Sequence, residues 1–352
     1  MRFEDILEIK NGRNQKAVEN PNGKYPIYGS GGIMGYADDY ICDAQTVIVG
    51  RKGSINNPIF VDEPFWNVDT AFGLVANREI ILPRYLYYFC KRFDFERLNK
   101  AVTIPSLTKS DLLKIEIEIP DLAIQRHIVD LLIGVERLIA YRKQQLTELD
   151  NLIKARFVEM FGSYPINPMG WKTGTIRDVV ADVRYGSSRP AVDGGKYPYL
   201  RMNNITYGGE LDLSDVKRID VPENELAKCT VHRGDVLFNR TNSKELVGKT
   251  CVYDRDEMMV LAGFVIRVRV NDLALPEFLS AFLNTDFSKR TLFGMCKAAI
   301  GQANINAQEM QNIGIYIPPI ELQKEFVQFK YQIDKSKVVE QKVLEYMYIM
   351  NI

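Results

Sequence analysis

The residues of this chain best equipped for chemistry sit on short polar loops behind apolar runs. The loop "GRKGSINN" carries Arg51, Lys52, Ser54, Asn56 and Asn57 after "VIV". The loop "NRTNSK" carries Asn239, Arg240, Thr241, Asn242, Ser243 and Lys244 after "VLF". Guanidinium, ammonium, amide and hydroxyl groups on loops are the groups that reach phosphate oxygens and base edges. "RMNN" adds Arg201, Asn203 and Asn204. A further pair of loops, "TIPSLTKSDL" and "KAAIGQANINAQEM", offers Thr103, Ser106, Thr108 and Lys109 in one and Lys297, Gln302 and Asn304 in the other. Each set also has a plainer use. The first three suit solvated loop surface, and Thr108 or Ser110 could cap a short helix.

Covalent chemistry finds less support. "YPIYGSGGIMGY" looks at first like a phosphate cradle, but a dinucleotide loop needs Gly-x-Gly-x-x-Gly between a strand and a helix. Gly29 and Gly31 fit, but Met34 stands at the third position. The segment after the glycines reads as a turn and then a strand from Thr46 to Val49, not a helix. The remaining reading is a tight turn between strands, with Ser30 beside glycines that let backbone approach a sugar-phosphate. An adenine-N6 methyltransferase holds its flipped base with Asn/Asp-Pro-Pro-Tyr/Phe, and "NPIF" has Ile59 where the second proline should be. Asp62 and Glu63 lack the nearby lysine of a nuclease site. Two histidines, His127 and His232, are too few for a dyad or a His-rich metal site. Five scattered cysteines without Cys-x-x-Cys argue against a disulfide framework or structural zinc and suit a reducing cytoplasm. "MRFEDILEIK" does not read as a signal peptide, and no apolar run reaches membrane length. Trp66 and Trp171 read as core. Lys+Arg and Asp+Glu are 45 each, so any field that attracts nucleic acid must come from a local patch or a basic partner.

What positions the loops is an internal repeat. "YPIYGSGGI" from Tyr25 aligns with "YPYLRMNNI" from Tyr197, "VIVGRKGS" from Val47 with "VLFNRTNS" from Val236, and "DTAFGLV" from Asp69 with "LAGFVIRV" from Leu261. "LPRYLYYFCKRFDFERL" from Leu82 aligns with "LPEFLSAFLNTDFSKRTL" from Leu275, and "IPDLAIQRHIVDLL" from Ile119 with "IPPIELQKEFVQF" from Ile317. The blocks keep their order, so the chain is two diverged copies of one unit. Each copy runs from short strands through a short helix and a polar loop to a strand ending in Ile-Pro, and closes with a long helix. The second copy lacks the glycines of the first, which suits a recognition surface better than a cofactor cradle.

The long helices carry apolar seams. Leu132, Ile139, Leu146, Ile153 and Met160 recur every seven residues, with Val135 and Leu149 on the second row and Arg142 and Arg156 as interruptions. In the C-terminal copy Leu322, Phe329, Val343 and Met350 form one row, broken by Ser336. Phe326, Ile333 and Met347 form the other, broken by Glu340. Packing one seam on the other predicts antiparallel helices, a pseudo-two-fold dumbbell and neighbouring termini; each helix packing on its own domain is the other arrangement. A rod of some forty residues is about 60 Å long, or roughly 17 base pairs of duplex. Diverged heads held apart suit an asymmetric, bipartite DNA target with an unread spacer.

These features resemble the specificity subunit of type I restriction–modification enzymes over nearly the whole chain. The resemblance is carried by the duplicated Ile-Pro-x-apolar-x-apolar-Gln-basic lead-in to each long helix, with Gln125 and Gln323, and by the loops before it. It implies an α+β fold of two tandem target-recognition domains, 1–120 and 163–318, separated by a pair of long antiparallel helices, 121–162 and 319–352. It implies a cytoplasmic partner of double-stranded DNA, two methyltransferase subunits and restriction/translocase subunits. It also implies no catalysis, cofactor or metal in this chain, with S-adenosylmethionine, ATP and Mg confined to the partners. The DNA-binding set is then Ser30, Arg51, Lys52, Ser54, Asn56, Thr103, Ser106, Lys109, Arg201, Asn203, Asn204, Arg240, Asn242, Lys244, Lys297, Gln302 and Asn304. The partner-binding seam is Leu132, Ile139, Leu146, Ile153, Phe329, Ile333 and Val343. A non-enzymatic coiled-coil scaffold whose heads bind peptides is the alternative, and salt-dependent DNA affinity separates the two. An RNA binder would show repeated exposed aromatic pairs.

Overall fold

The computed structural model describes residues 1–101, 103–296 and 302–349, with residues 348 and 349 described by backbone alone, so Lys297 and Met350 lie outside the described residues. The chain divides into two compact units, Met1–Ala140 and Tyr141–Met350.

In the first unit a one-turn helix α1 (Phe3–Ile6) leads into β1 (Leu7–Asn11), β2 (Tyr25–Gly29), β3 (Gly32–Ala37), β4 (Thr46–Gly50), β5 (Ile59–Val61), β6 (Trp66–Asn67) and β7 (Ala71–Ala76). One antiparallel sheet has the order β1-β7-β4-β5. The other has the order β3-β2-β6, in which β2 and β6 run parallel. The apolar run of β4 is buried at every residue, as a strand covered on both faces must be. Helix α2 (Pro83–Arg92) supplies Leu86 and Cys90 to the core that holds Phe3, Val47, Val49 and Leu74. The glycine run is a hairpin: Gly29 pairs with Gly32, and Ser30 and Gly31 make the turn between β2 and β3. A one-turn helix α3 (Lys109–Leu112) is capped by Thr108, whose Oγ1 accepts the Asp111 N–H at 3.1 Å. The 40-residue α4 (Leu122–Phe161) comes next. Its first half is tied to α2 at Glu136, which accepts from Tyr88 at 2.9 Å and Lys91 at 3.2 Å.

The second unit contains the rest of α4. Then come β8 (Lys172–Thr175), β9 (Val180–Tyr185), β10 (Tyr197–Leu200), β11 (Lys217–Ile219), α5 (Glu223–Cys229), β12 (Thr230–Val231), β13 (Val236–Asn239), β14 (Thr241–Asn242), β15 (Thr250–Val252), β16 (Met259–Leu261) and β17 (Val265–Val270). Helices α6 (Pro276–Leu283) and α7 (Asp286–Met295), β18 (Ala303–Asn304), α8 (Ala307–Gln311), β19 (Gly314–Ile317) and the 30-residue α9 (Ile320–Ile349) complete it. The sheet β9-β17-β13-β15 repeats β1-β7-β4-β5 strand for strand. The sheet β11-β10-β16-β12 repeats β3-β2-β6 with one strand added, and β10 and β16 are parallel as β2 and β6 are. The duplication read from the sequence is therefore a duplication of topology.

It extends to single hydrogen bonds. Both α2 and α6 start with proline at the first turn, where φ is preset and no N–H is lost. Neither has a side-chain cap of its own. Gln125 accepts the Leu82 N–H at 2.8 Å and donates to Ile80 O and Pro120 O. Gln323 accepts the Leu275 N–H at 2.8 Å and donates to Leu273 O and Pro318 O. Both amides are fully buried. A buried carboxamide must satisfy its donors and acceptor, and here it does so by bolting the start of each long helix to the short helix of the same unit.

Within the second unit the C-terminal part of α4 runs antiparallel to α9. Arg142 meets Glu340 at 2.9 Å, Lys337 meets Asp150, and the Phe157 and Phe326 rings lie 5.3 Å apart. The polar interruptions of the two seams, Arg142 and Glu340, thus pair with each other. Arg156 lies over the Phe329 ring at 5.6 Å. The seam residues Leu132, Ile139, Leu146, Ile153, Phe329, Ile333 and Val343 are half-buried. Ser336 is exposed, while Lys337 and Leu344 take the buried places one residue later. A straight helix drifts against a seven-residue count, which moves the buried line in this way.

Candidate nucleic-acid interface

The loops singled out by residue type come together in each unit. In the first, the Arg51 N–H donates to Thr70 O at 2.8 Å and the Leu107 N–H donates to Arg51 O at 2.9 Å. The Gly53 N–H donates to Pro105 O at 3.1 Å, and Lys52 bridges Ser106. The loop holding Arg51, Lys52 and Ser54 is thus zipped to the loop holding Thr103 and Ser106. The bend between them requires Gly53, at φ +82°, and a Cβ on Gly50 would lie 2.2 Å from Ser54 O and 3.0 Å from the Ser30 Cβ. The hairpin tip therefore sits against the same loop. Arg51, Lys52, Ser54 and Thr103 are exposed, and Ser30 and Ser106 are half-buried.

The second unit repeats the arrangement. The Arg240 N–H donates to Phe264 O at 2.9 Å and the Ile305 N–H to Arg240 O at 2.9 Å. Strands β14 and β18 pair Thr241 with Asn304 and Asn242 with Ala303. The Arg240 guanidinium lies over the Tyr185 ring at 4.9 Å and donates to Asn304 Oδ1 at 3.0 Å and to Gly263 O at 3.4 Å. Stacking and the amide hold its plane in place, which lowers the entropy lost when a guanidinium meets a base edge. Lys244 lies over the Phe293 ring at 4.2 Å. Lys249 sits under the loop, with its Nζ donating to Met202 O at 2.8 Å, and burial pulls its pKa down. Through that lysine the "RMNN" loop is anchored to the strand beside Arg240.

Some of the singled-out residues are engaged in building the loops. Asn204 is 2% exposed; its amide donates to Asp212 O and Asp215 O and accepts the Arg201 N–H. Arg201 pairs with Asp215 at 2.7 Å, and that hydrogen bond, with Lys217 nearby, holds the Asp215 carboxyl below its usual range. Asn203 is the exposed amide of that loop. Asn56 donates to Asp94 and accepts the Phe95 N–H at 2.6 Å, and Lys109 donates to Ile9 O at 2.7 Å. Gln302 is exposed. Asn242 donates to Asn239 Oδ1 at 3.0 Å, inside the loop.

The cysteines are buried thiols whose pKa values burial raises, Cys42 and Cys251 to about 12. Among the described residues no group of three His, Cys, Asp or Glu could hold a metal ion, and no helix is long and apolar enough to cross a membrane.

The family model described as the type I restriction modification DNA specificity domain matches residues 1–151 and 168–345, and the chain belongs to that family. The type I restriction enzyme EcoKI specificity subunit of Escherichia coli is 23% identical over 299 residues, which is 79% of this chain and 64% of that protein. The EcoEI specificity subunit, also from Escherichia coli, is 22% identical over 169 residues, 44% of this chain and 27% of that protein. The chain thus spans less than two-thirds of the length of either relative. Among solved structures, the type I restriction–modification S subunit from M. genitalium superposes with a TM-score of 0.56 at 16% identity, covering 99% of this chain and 92% of that one. A chain from a study of complex assembly and conformational transition in the type I system gives 0.62 at 18% identity, covering 99% and 94%. These likenesses establish the fold: mixed helix and strand, two specificity domains and a long helix.

Proposed function

We propose that this chain is a DNA-specificity subunit that reads a bipartite, asymmetric target, one half-site per unit, and docks methyltransferase and restriction/translocase subunits while performing no catalysis itself. The observation that carries this reading is the pair of equivalent loop junctions, Lys52 with Ser106 and Thr241 with Asn304. They share one backbone scaffold and differ in the side chains they present. A shared scaffold with diverged amides and cations is what two readers of different sequences need. The half-buried faces of α4 and α9 are the surfaces we assign to the methyltransferase subunits. The cytoplasm is the compartment we assign to the complex, with S-adenosylmethionine, ATP and Mg held by the partners.

The test is binding of the assembled chain and methyltransferase complex to duplex DNA at several salt concentrations. Affinity for a target found by methylation mapping falls with salt, because phosphate contacts release counterions, and exceeds affinity for a scrambled duplex. A salt-independent complex with no sequence preference refutes the reading and leaves the peptide-binding scaffold.

A further inference from the structure

An aromatic ring stands open at the edge of the second unit's loop junction. Gly263 and Phe264 form the tight turn before β17, and Phe264 is 53% exposed. The turn is held by its backbone. The Gly263 N–H donates to Ser187 O at 2.7 Å and the Val265 N–H to Ala262 O at 2.9 Å. The Phe264 carbonyl accepts from the Arg240 N–H at 2.9 Å and from Asn239 Nδ2 at 3.2 Å, and the Gly263 carbonyl accepts from the Arg240 guanidinium. The ring is therefore carried by the backbone that carries Arg240. In the first unit the strand register, two residues out of step with the block alignment of the sequence, puts Thr70 at the same place, and its carbonyl accepts the N–H groups of Arg51 at 2.8 Å and Lys52 at 3.2 Å. A phenylalanine ring and a threonine methyl share one talent in the major groove: apolar contact with the C5-methyl group of thymine, the one apolar group that base edges present there.

We propose that Phe264 reads the 5-methyl group of a thymine in the half-site of the second unit. The proposal rests on the DNA-reading function assigned to the chain. Arg240 meets a polar base edge, and the ring beside it separates thymine from cytosine by the methyl.

The test uses the chain assembled with its methyltransferase subunits and a target defined by methylation mapping. Each thymine of the second half-site is replaced in turn by deoxyuridine, which keeps every hydrogen-bonding group and lacks only the methyl. One position should lose about three- to fivefold in affinity, the worth of a buried methyl. The F264A complex should bind the thymine duplex more weakly and ignore the exchange at that position, with an unchanged melting temperature. Neutral exchange at every thymine, a half-site without thymine, or unchanged discrimination by F264A overturns the proposal while leaving sequence-specific binding intact. Loss of all sequence preference in the unaltered complex sinks the parent reading and this one with it.

Discussion

At the scale of single residues, the loops separate those that shape a surface from those free to use it. Residue type alone does not make that distinction, because asparagine serves turns and bases with the same amide. Asn204 and Asn203 are neighbours of one kind, yet one is 2% exposed and the other stands in solvent. Arg240 is the residue whose loss should be most informative. With Tyr185 and Asn304 orienting it, Arg240→Ala should cost about 1–3 kcal/mol of binding and relax specificity in one half-site only. Competition binding against a panel of single-base variants measures this, and a uniform loss across the panel would make Arg240 a phosphate contact instead. Lys289 gives a prediction about pH. Its Nζ donates to Gly248 O at 3.2 Å, and burial, with Lys249 and Lys154 nearby, pulls its pKa down to about 8 from 10.5. Between those values the unfolded chain binds the proton and the folded chain does not, so this lysine's penalty on stability is full below pH 8 and relieved as pH rises toward 10.5. Lys289→Met should therefore stabilise the protein more at about pH 7 than at about pH 9.5 in urea unfolding. A gain independent of pH would mean that packing, not the buried charge, decides.

At the scale of elements, the long helices and the strand pattern were legible because both have a period. The pairing of Arg142 with Glu340 was not, although each was visible as a break in its seam, because a period identifies a face and not the residue opposite. Lys337 was invisible for a related reason. Lysine is seldom buried, and this one is, at 5% exposed between Asp150 and Glu210. The repeated glutamines were legible as a motif, while their role needed coordinates. Gln323→Ala leaves the Leu275 N–H and the carbonyls of Leu273 and Pro318 without their partner in a buried site, and should cost about 2–4 kcal/mol. Gln125→Ala should cost a similar amount in the first unit. Chemical unfolding of each variant checks the pair, and a negligible change in either would show that water or neighbouring backbone replaces the amide. Leu146→Asp puts an unpaired carboxylate on the half-buried face of α4 and should cost about 1–3 kcal/mol. It should also weaken co-purification with the methyltransferase subunits; full retention of both properties would remove the seam from the docking surface.

At the scale of the molecule, the internal repeat carried most of the fold, because similarity at block level becomes similarity of sheet order and of hydrogen bonds. What the repeat could not reveal was the zipper between the Arg51 and Ser106 loops, or between Arg240 and Asn304. These loops are far apart in sequence and meet through backbone pairing, joined in the second unit by side-chain hydrogen bonds between Asn304 and both Arg240 and Thr241. In the proposed function each junction is a single reading site made from two segments, and the chain carries two of them. Base-resolution mapping of DNA methylation in a host carrying the full system tests this most directly, with the unaltered chain and with Arg240→Ala. The expected motif has two different specific blocks separated by unread positions, with the substitution relaxing one block and leaving the other intact. A single contiguous motif, relaxation of both blocks together, or methylation that does not depend on this chain would contradict the proposed function.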